Sequence, residues 1–251
     1  MRVLPVLILL LLPLLAAPAR ADYAAGKRAY DAEDYPTALA ELRPAAEAGD
    51  PRAQYWLADM YRFGLGGPTD HAAALRWYRL AARQTSDVDI NRRAVYALGY
   101  MVNNALGVDR DVVRAGCLYR NAAENGYVSA QWGLCRLISR ESELLGRKMV
   151  SIGVDMCHRA AEQGDSYALA FLSDIMLWNP LTPDEKGYMY LVLSAQRGVD
   201  QSREKVAEFE RTLKGREREQ FEAGVEMAKT WRAREEPMPD KPFPLDTTCL
   251  P

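Results

Sequence analysis

Histidine is nearly absent from this chain, with two residues in 251, His71 and His158. His71 stands beside Asp70 at a predicted helix start, and His158 follows a cysteine, so neither occupies a pattern that makes a general base. The nucleophile elbow G-x-S-x-G, the Walker phosphate loop and the zinc helix H-E-x-x-H are also missing. The "GLGG" of Gly64–Gly67 has the look of a phosphate loop, but it follows a helical pattern and not a strand. No paired C-x-x-C occurs, and Cys157 and His158 are adjacent, which on a helix points them about 100° apart and argues against a shared metal. An excess of charge of one sign is lacking too: 32 Lys and Arg stand against 34 Asp and Glu, a balance that excludes a dedicated nucleic-acid binder. Gly and Pro, 17 and 14 residues, are not in excess, and the hydrophobic fraction of 49% is that of a chain with a substantial core. The expectation is therefore a protein that is not an enzyme, with no catalytic residues, no cofactor and no metal.

Long apolar runs are lacking everywhere except at the start. Met1-Arg2 precedes "VLPVLILLLLPLLAAP" and then Ala19-Arg20-Ala21, the basic start, apolar run and small-residue site of a secretory signal peptide cleaved after Ala21. Pro5 and Pro13 interrupt the run, which is short for a bilayer span. No cysteine follows it to carry a lipid. The expected location is the periplasm, without a membrane anchor after cleavage.

What the chain does contain is a repeat. Ala53, Ala94, Ala130 and Ala168 open similar stretches 41, 36 and 38 residues apart, the period of stacked helix pairs. In the first, helix A places Trp56, Leu57, Met60 and Tyr61 three and four apart. The residue after each leucine is small (Ala58, Gly99, Cys135, Ser173), which lets the next helix approach closely. Loops "GLGGPTD" and "ALGVDRD" supply glycine for positive φ and aspartate to cap helix B. Helix B ends in Ala-Ala and, in three units, a glycine stop.

Ala53, Leu57, Ala58, Tyr61, Gly64, Gly66, Gly67, Asp70, Ala74, Trp77, Tyr78, Ala81 and Ala82 resemble the Sel1-like repeat, a relative of the tetratricopeptide repeat. The second unit keeps Leu98, Gly99, Gly107, Val108, Asp111, Tyr119, Ala122 and Ala123, while the third and fourth lose the Gly-rich loop. The resemblance implies an all-α fold, an α-solenoid of helix hairpins in a right-handed superhelix. The expected organisation is a signal peptide over 1–21, a tetratricopeptide-like pair over 22–50 and four repeats over 51–200. A pair of capping helices over 201–232 and a Pro-rich extended tail over 233–251 complete it.

Four cysteines in an exported chain are expected to pair. Aligning Ala160-Ala161 with Ala122-Ala123 puts Cys157 at the Tyr78 position of helix B and Cys135 at the small inward position of helix A, which favours Cys135–Cys157. Cys117 takes the outward Arg76 position and is free to receive Cys249 from the tail. Cys117–Cys135, between neighbouring units, stands as the competing pairing.

In solenoids of this kind the A helices line the concave side. Their outward positions, counted from the Leu-small pair, are Tyr55, Asp59 and Arg62, then Tyr96, Tyr100 and Asn103, then Trp132, Arg136 and Arg140, and finally Asp174 and Trp178. Aromatic residues and arginine are enriched where proteins bind proteins. The same rings have a second reading, as packing between neighbouring A helices; Tyr96 and Trp132 divide evenly between the two, and Tyr55 and Tyr100 lean to the interface. Arg136 and Arg140 beside Asp59 and Asp174 would give the groove mixed charge. The resemblance implies a protein partner for a free monomer: a type VI secretion toxin such as a phospholipase, neutralised by an immunity protein, or a membrane sensor kinase or envelope complex bound by a regulator or scaffold. Some Sel1-like proteins are credited with hydrolase activity, but no residue here carries that over.

Overall fold

The computed structural model describes residues 22–177, 185–234 and 249–250. The signal peptide expected over 1–21 and most of the Pro-rich tail lie outside the described residues, as does Trp178. Within them the chain forms eleven helices and no strand, an α-solenoid. The helices are α1 (Tyr23–Asp31), α2 (Tyr35–Glu47), α3 (Pro51–Phe63), α4 (His71–Ala82), α5 (Val88–Asn103), α6 (Val112–Glu124), α7 (Val128–Glu162), α8 (Ser166–Leu177), α9 (Glu185–Gln196), α10 (Asp200–Thr212) and α11 (Gly215–Thr230).

One device starts each of the first six. Asp22, Asp34, Asp50, Asp70, Asp87 and Asp111 are N-caps whose carboxylates accept backbone N–H bonds from the first helical turn. Each such cap stabilises by about 1 kcal/mol, and together they set the beat of the hairpins. At the other end of the B helices a single turn recurs: Gly126 N–H donates to Ala123 O and Tyr127 N–H to Ala122 O, while Gly164 and Asp165 do the same to Ala161 and Ala160. The Ala-Ala pair thus serves both the turn and the packing, since Ala81, Ala82, Ala122, Ala123, Ala160 and Ala161 are all buried.

Each helix packs on its neighbour in sequence, and α1 with α3 and α3 with α5 also touch directly. From α1 to α6 these contacts between alternate helices lie within the A row, whereas at the C-terminal end α11 packs directly on α9. Leu57, Leu98, Leu134 and Leu172 point from the A row into a core shared by successive units. The small residue after each leucine has a steric reason, clearest at Gly99: a Cβ there would stand 2.9 Å from the Tyr119 ring.

The third unit departs from the expected loop. α7 is helical through most of "RESELLGRKM", broken only at Glu141 (φ −132°) and Gly146 (φ 71°), where the chain folds back on itself. Gly146 supplies the left-handed backbone that a longer side chain resists. The two arms of α7 are joined by Cys135–Cys157, with Cα atoms 5.0 Å apart. The second bridge, Cys117–Cys249, spans 132 residues and ties the end of the chain to α6. Both are the pairings that the repeat register favours.

At the C-terminal end α9 is covered by α10 and α11. Phe221 of α11 and Phe209 of α10 meet Tyr188 edge-on, with centroids 5.6 and 5.8 Å away. Beyond α11, Arg197 lies over the Trp231 ring (4.9 Å) and Arg234 N–H donates to Glu162 O, so the departing chain turns back along the end of α7.

Candidate protein-binding face

The helical period brings aromatic rings onto the A row, and the tight spacing of that row makes them touch. Tyr30 meets Trp56 (4.8 Å between centroids), and Trp56 meets Tyr55 (5.4 Å). In the next unit Tyr96 sits between Tyr119 (5.5 Å) and Tyr127 (5.3 Å). Trp132 then stacks on Tyr167 (6.2 Å) and meets Phe171 edge-on (5.9 Å). Tyr96 and Trp132 therefore do pack between neighbouring A helices, yet both keep part of their surface open. Tyr55 and Tyr100 are likewise half-buried, and burial raises the Tyr55 hydroxyl well above the ordinary phenol value. Tyr167 is 60% exposed beside Trp132.

Cations lie over these rings. Lys27 sits 4.6 Å from the Trp56 ring, Arg62 5.3 Å from Tyr100, and Arg92 and Arg93 both within 6 Å of Tyr127. Such contacts hold long side chains in place over apolar surface. Arg136 is half-exposed and Arg140 exposed on the first arm of α7.

Of the two acids expected in the mixed-charge groove, Asp59 is not on the surface as the helical count suggests. Asp59 is 7% exposed, accepting the Tyr78 hydroxyl proton from α4, with Arg62 Nε 4.0 Å away. Burial pushes the Asp59 carboxyl above the ordinary carboxylate range, against the opposing pull of the Tyr78 hydrogen bond and Arg62. It turns inward because the position after the Leu-small pair leans towards helix B, where Tyr78 meets it. Asp174 is exposed but engaged by Lys205 of α10 (2.5 Å). Asn103 ends α5, where its carbonyl accepts from Arg110. The face that remains is aromatic, with Lys27, Arg62, Arg92 and Arg93 ion-paired to Asp31, Asp59 and Asp89. The outward count did not reach Tyr127, which precedes α7 in a turn, or Lys27 and Trp56, which flank the counted positions; the Y-V-S-A and K-x-x-Y spacings alone carry no signal for them.

A second opening lies between the arms of α7 and α8, a cleft of about 320 Å³ walled by Ile138, Val150, Val154, Leu172, Ile175 and Met176. Among the described residues no three of His, Cys, Asp and Glu gather as a metal site would require.

Stacked helix hairpins with aromatic rings along the A row define a helical-repeat protein, an architecture that presents an extended surface. Within that class, residues 51–86 and 92–127, which hold α3–α4 and α5–α6, match the model of the Sel1 repeat family. The chain is 32% identical over 90 residues to "Protein sel-1 homolog 2" of Homo sapiens and, equally, of Mus musculus. These matches take in 36% of this chain and only 12% of either relative. A crystal structure of a Sel1 repeat protein from Oxalobacter formigenes shares the fold with a TM-score of 0.66 at 23% identity, over 82% of this chain and 84% of that one. The two disulfides are compatible with an oxidising, exported compartment, and no helix among the described residues is long and apolar enough to cross a membrane.

Proposed function

We propose that this protein is exported to the periplasm and binds a second, folded protein on its A row, as an immunity protein that neutralises a type VI secretion toxin such as a phospholipase. One observation carries the reading: the rings of Tyr30, Trp56, Tyr55, Tyr96, Trp132 and Tyr167 run along one side of consecutive repeats, half-open and braced by cations. Half-buried aromatics have already lost most of their rotamer freedom, so little further entropy is lost when a partner covers them. Covering an active-site cleft requires a stiff surface and no chemistry, and the dense alanine-rich core with its two covalent ties supplies stiffness.

The test is capture from periplasmic extract by the mature chain, followed by identification of the protein retained. Recovery of a toxic hydrolase, with loss of capture in a Tyr55→Ala, Tyr100→Ala, Trp132→Ala variant of unchanged circular dichroism, supports the immunity role. Recovery of a sensor kinase or envelope complex with the same dependence keeps the binding face and replaces immunity by regulation or scaffolding. Capture that survives the triple substitution removes the A row from the reading.

A further inference from the structure

The first two repeats superimpose in register with an offset of 41 residues, which pairs Asp59 with Tyr100 and Tyr78 with Tyr119. In the first repeat the buried Tyr78 hydroxyl donates to Asp59. In the second the same hydroxyl, on Tyr119, has lost its acceptor because position 100 is a tyrosine. Tyr119 is 1% exposed, and its hydroxyl has no hydrogen-bond partner. Arg62 Nε and Asn103 Oδ1, on the adjoining α3 and α5, are also buried without a hydrogen-bond partner, Arg62 Nε standing 4.0 Å from the Asp59 carboxylate.

Positive charge gathers at this vacancy. Burial drives the Tyr119 hydroxyl upwards, reinforced by Tyr96, while Arg136 and Arg62 act on it in the opposite sense. Arg136 occupies the position equivalent to Asp59 and Tyr100 in the third repeat, so the A row reads Asp, Tyr, Arg at successive steps. Neither Arg136 nor Arg140 has an ion-pair partner among the described residues, in contrast to Arg92 and Arg93, which share Asp89. Gly99 and Gly133 bring their backbones close against the Tyr119 ring, a Cβ on either lying 2.9 and 3.5 Å from it.

We infer that the middle of the A row is a carboxylate-binding site, in which an aspartate or glutamate side chain of the protein partner enters between Arg62 and Arg136 and accepts the Tyr119 hydroxyl hydrogen. The partner thereby supplies in the second repeat the group that Asp59 supplies internally in the first. Arg62 and Arg136 meet the carboxylate first, and the half-exposed Tyr96 ring, 5.5 Å from Tyr119, turns aside to let it reach the hydroxyl. Hydrogen bonds from arginine and tyrosine to an ionised acceptor are the strong kind; no internal acid competes for Arg136 or the Tyr119 hydroxyl among the described residues, while Arg62 Nε keeps Asp59 at 4.0 Å. This site rests on the protein-binding reading above and gives it a chemistry: the partner presents an acidic patch.

The probe is a hexaglutamate peptide with blocked ends, with hexaglutamine of the same length as control, titrated into the mature chain while the arginine Nε–Hε resonances are followed by NMR. Hexaglutamate is expected to shift the Arg62 and Arg136 signals and hexaglutamine to leave them. Tyr100→Asp, which installs the first repeat's acid in the second, and Arg136→Gln are each expected to weaken the peptide at least tenfold, whereas Arg211→Gln on α10 changes nothing. Equal shifts with both peptides, or unchanged affinity in Arg136→Gln, overturn the site; Arg136→Gln keeps the test decisive should Tyr100→Asp fail to fold. Capture of the partner is read separately. Retention by Arg136→Gln with loss in the aromatic variant defeats the carboxylate site and spares the A row, while a chain that captures nothing defeats the binding reading and leaves the peptide titration to stand.

Discussion

Tyr78 and Tyr119 occupy the same place in successive repeats, both with their rings buried in the shared core, and should respond oppositely to losing one oxygen atom. Tyr78→Phe removes a hydrogen bond to the Asp59 carboxyl, leaving that buried carboxyl to Arg62, whose Nε is 4.0 Å away, with the Tyr55 hydroxyl and Arg93 also acting on it. Hydrogen bonds to charged groups contribute about 1.5–3 kcal/mol net, so a loss of that size is expected. For a chain of this length 1 kcal/mol moves the midpoint by about 2–4 °C, which puts the fall in Tm at roughly 3–12 °C. Tyr119→Phe removes a hydroxyl that has no partner. Its ring contacts survive, and the desolvation cost of an unmet donor, about 1–3 kcal/mol, disappears with it; the change is therefore neutral to stabilising. Thermal unfolding followed by circular dichroism at neutral pH separates the two variants without any knowledge of the partner. A Tm loss in Tyr119→Phe matching that in Tyr78→Phe would refute the reasoning, because it would mean that the second hydroxyl has an acceptor after all.

The two disulfides should differ in weight. In the chain-entropy account, closing 132 residues is worth about 5 kcal/mol and closing 22 about 3.4 kcal/mol, so the Cys117→Ala, Cys249→Ala variant should be the less stable in denaturant titrations of paired alanine variants; the reverse order would show that the long bridge carries strain. Asp59 should leave a signature in pH. Its folded value is raised, so the native state holds its proton longer than the unfolded chain does: the stability this group contributes is fully present below the ordinary value of 3.8 and is lost as pH rises through its folded value. Urea titrations of wild type and Asp59→Asn across that window should show the wild type gaining relative to the variant on acidification, and parallel curves would place the carboxyl outside the core.

How much of this was legible in the sequence follows from the range of each interaction. Helix starts were readable because an aspartate caps the turn that immediately follows it, a contact confined to three residues. The Leu-small pair and the Ala-Ala pair mark the helix faces that touch, so the repeat and its register emerged from spacing alone. The register in turn put Cys135 opposite Cys157, since antiparallel partners in a hairpin face each other at aligned positions. Residues that depend on how one hairpin sits against the next were not readable in the same way. Asp59 has the spacing of an outward residue, and only the tilt of α4 brings Tyr78 to it. Tyr127 gains its role from the rotation that carries the turn before α7 towards Tyr96 and Arg93. The break in α7 at Glu141 and Gly146 likewise depends on the second arm finding the first. A helical period specifies which side of one cylinder is apolar; the angle between cylinders, set by side-chain fit across the whole stack, decided which tyrosine hydroxyl found a carboxyl and which was left without one.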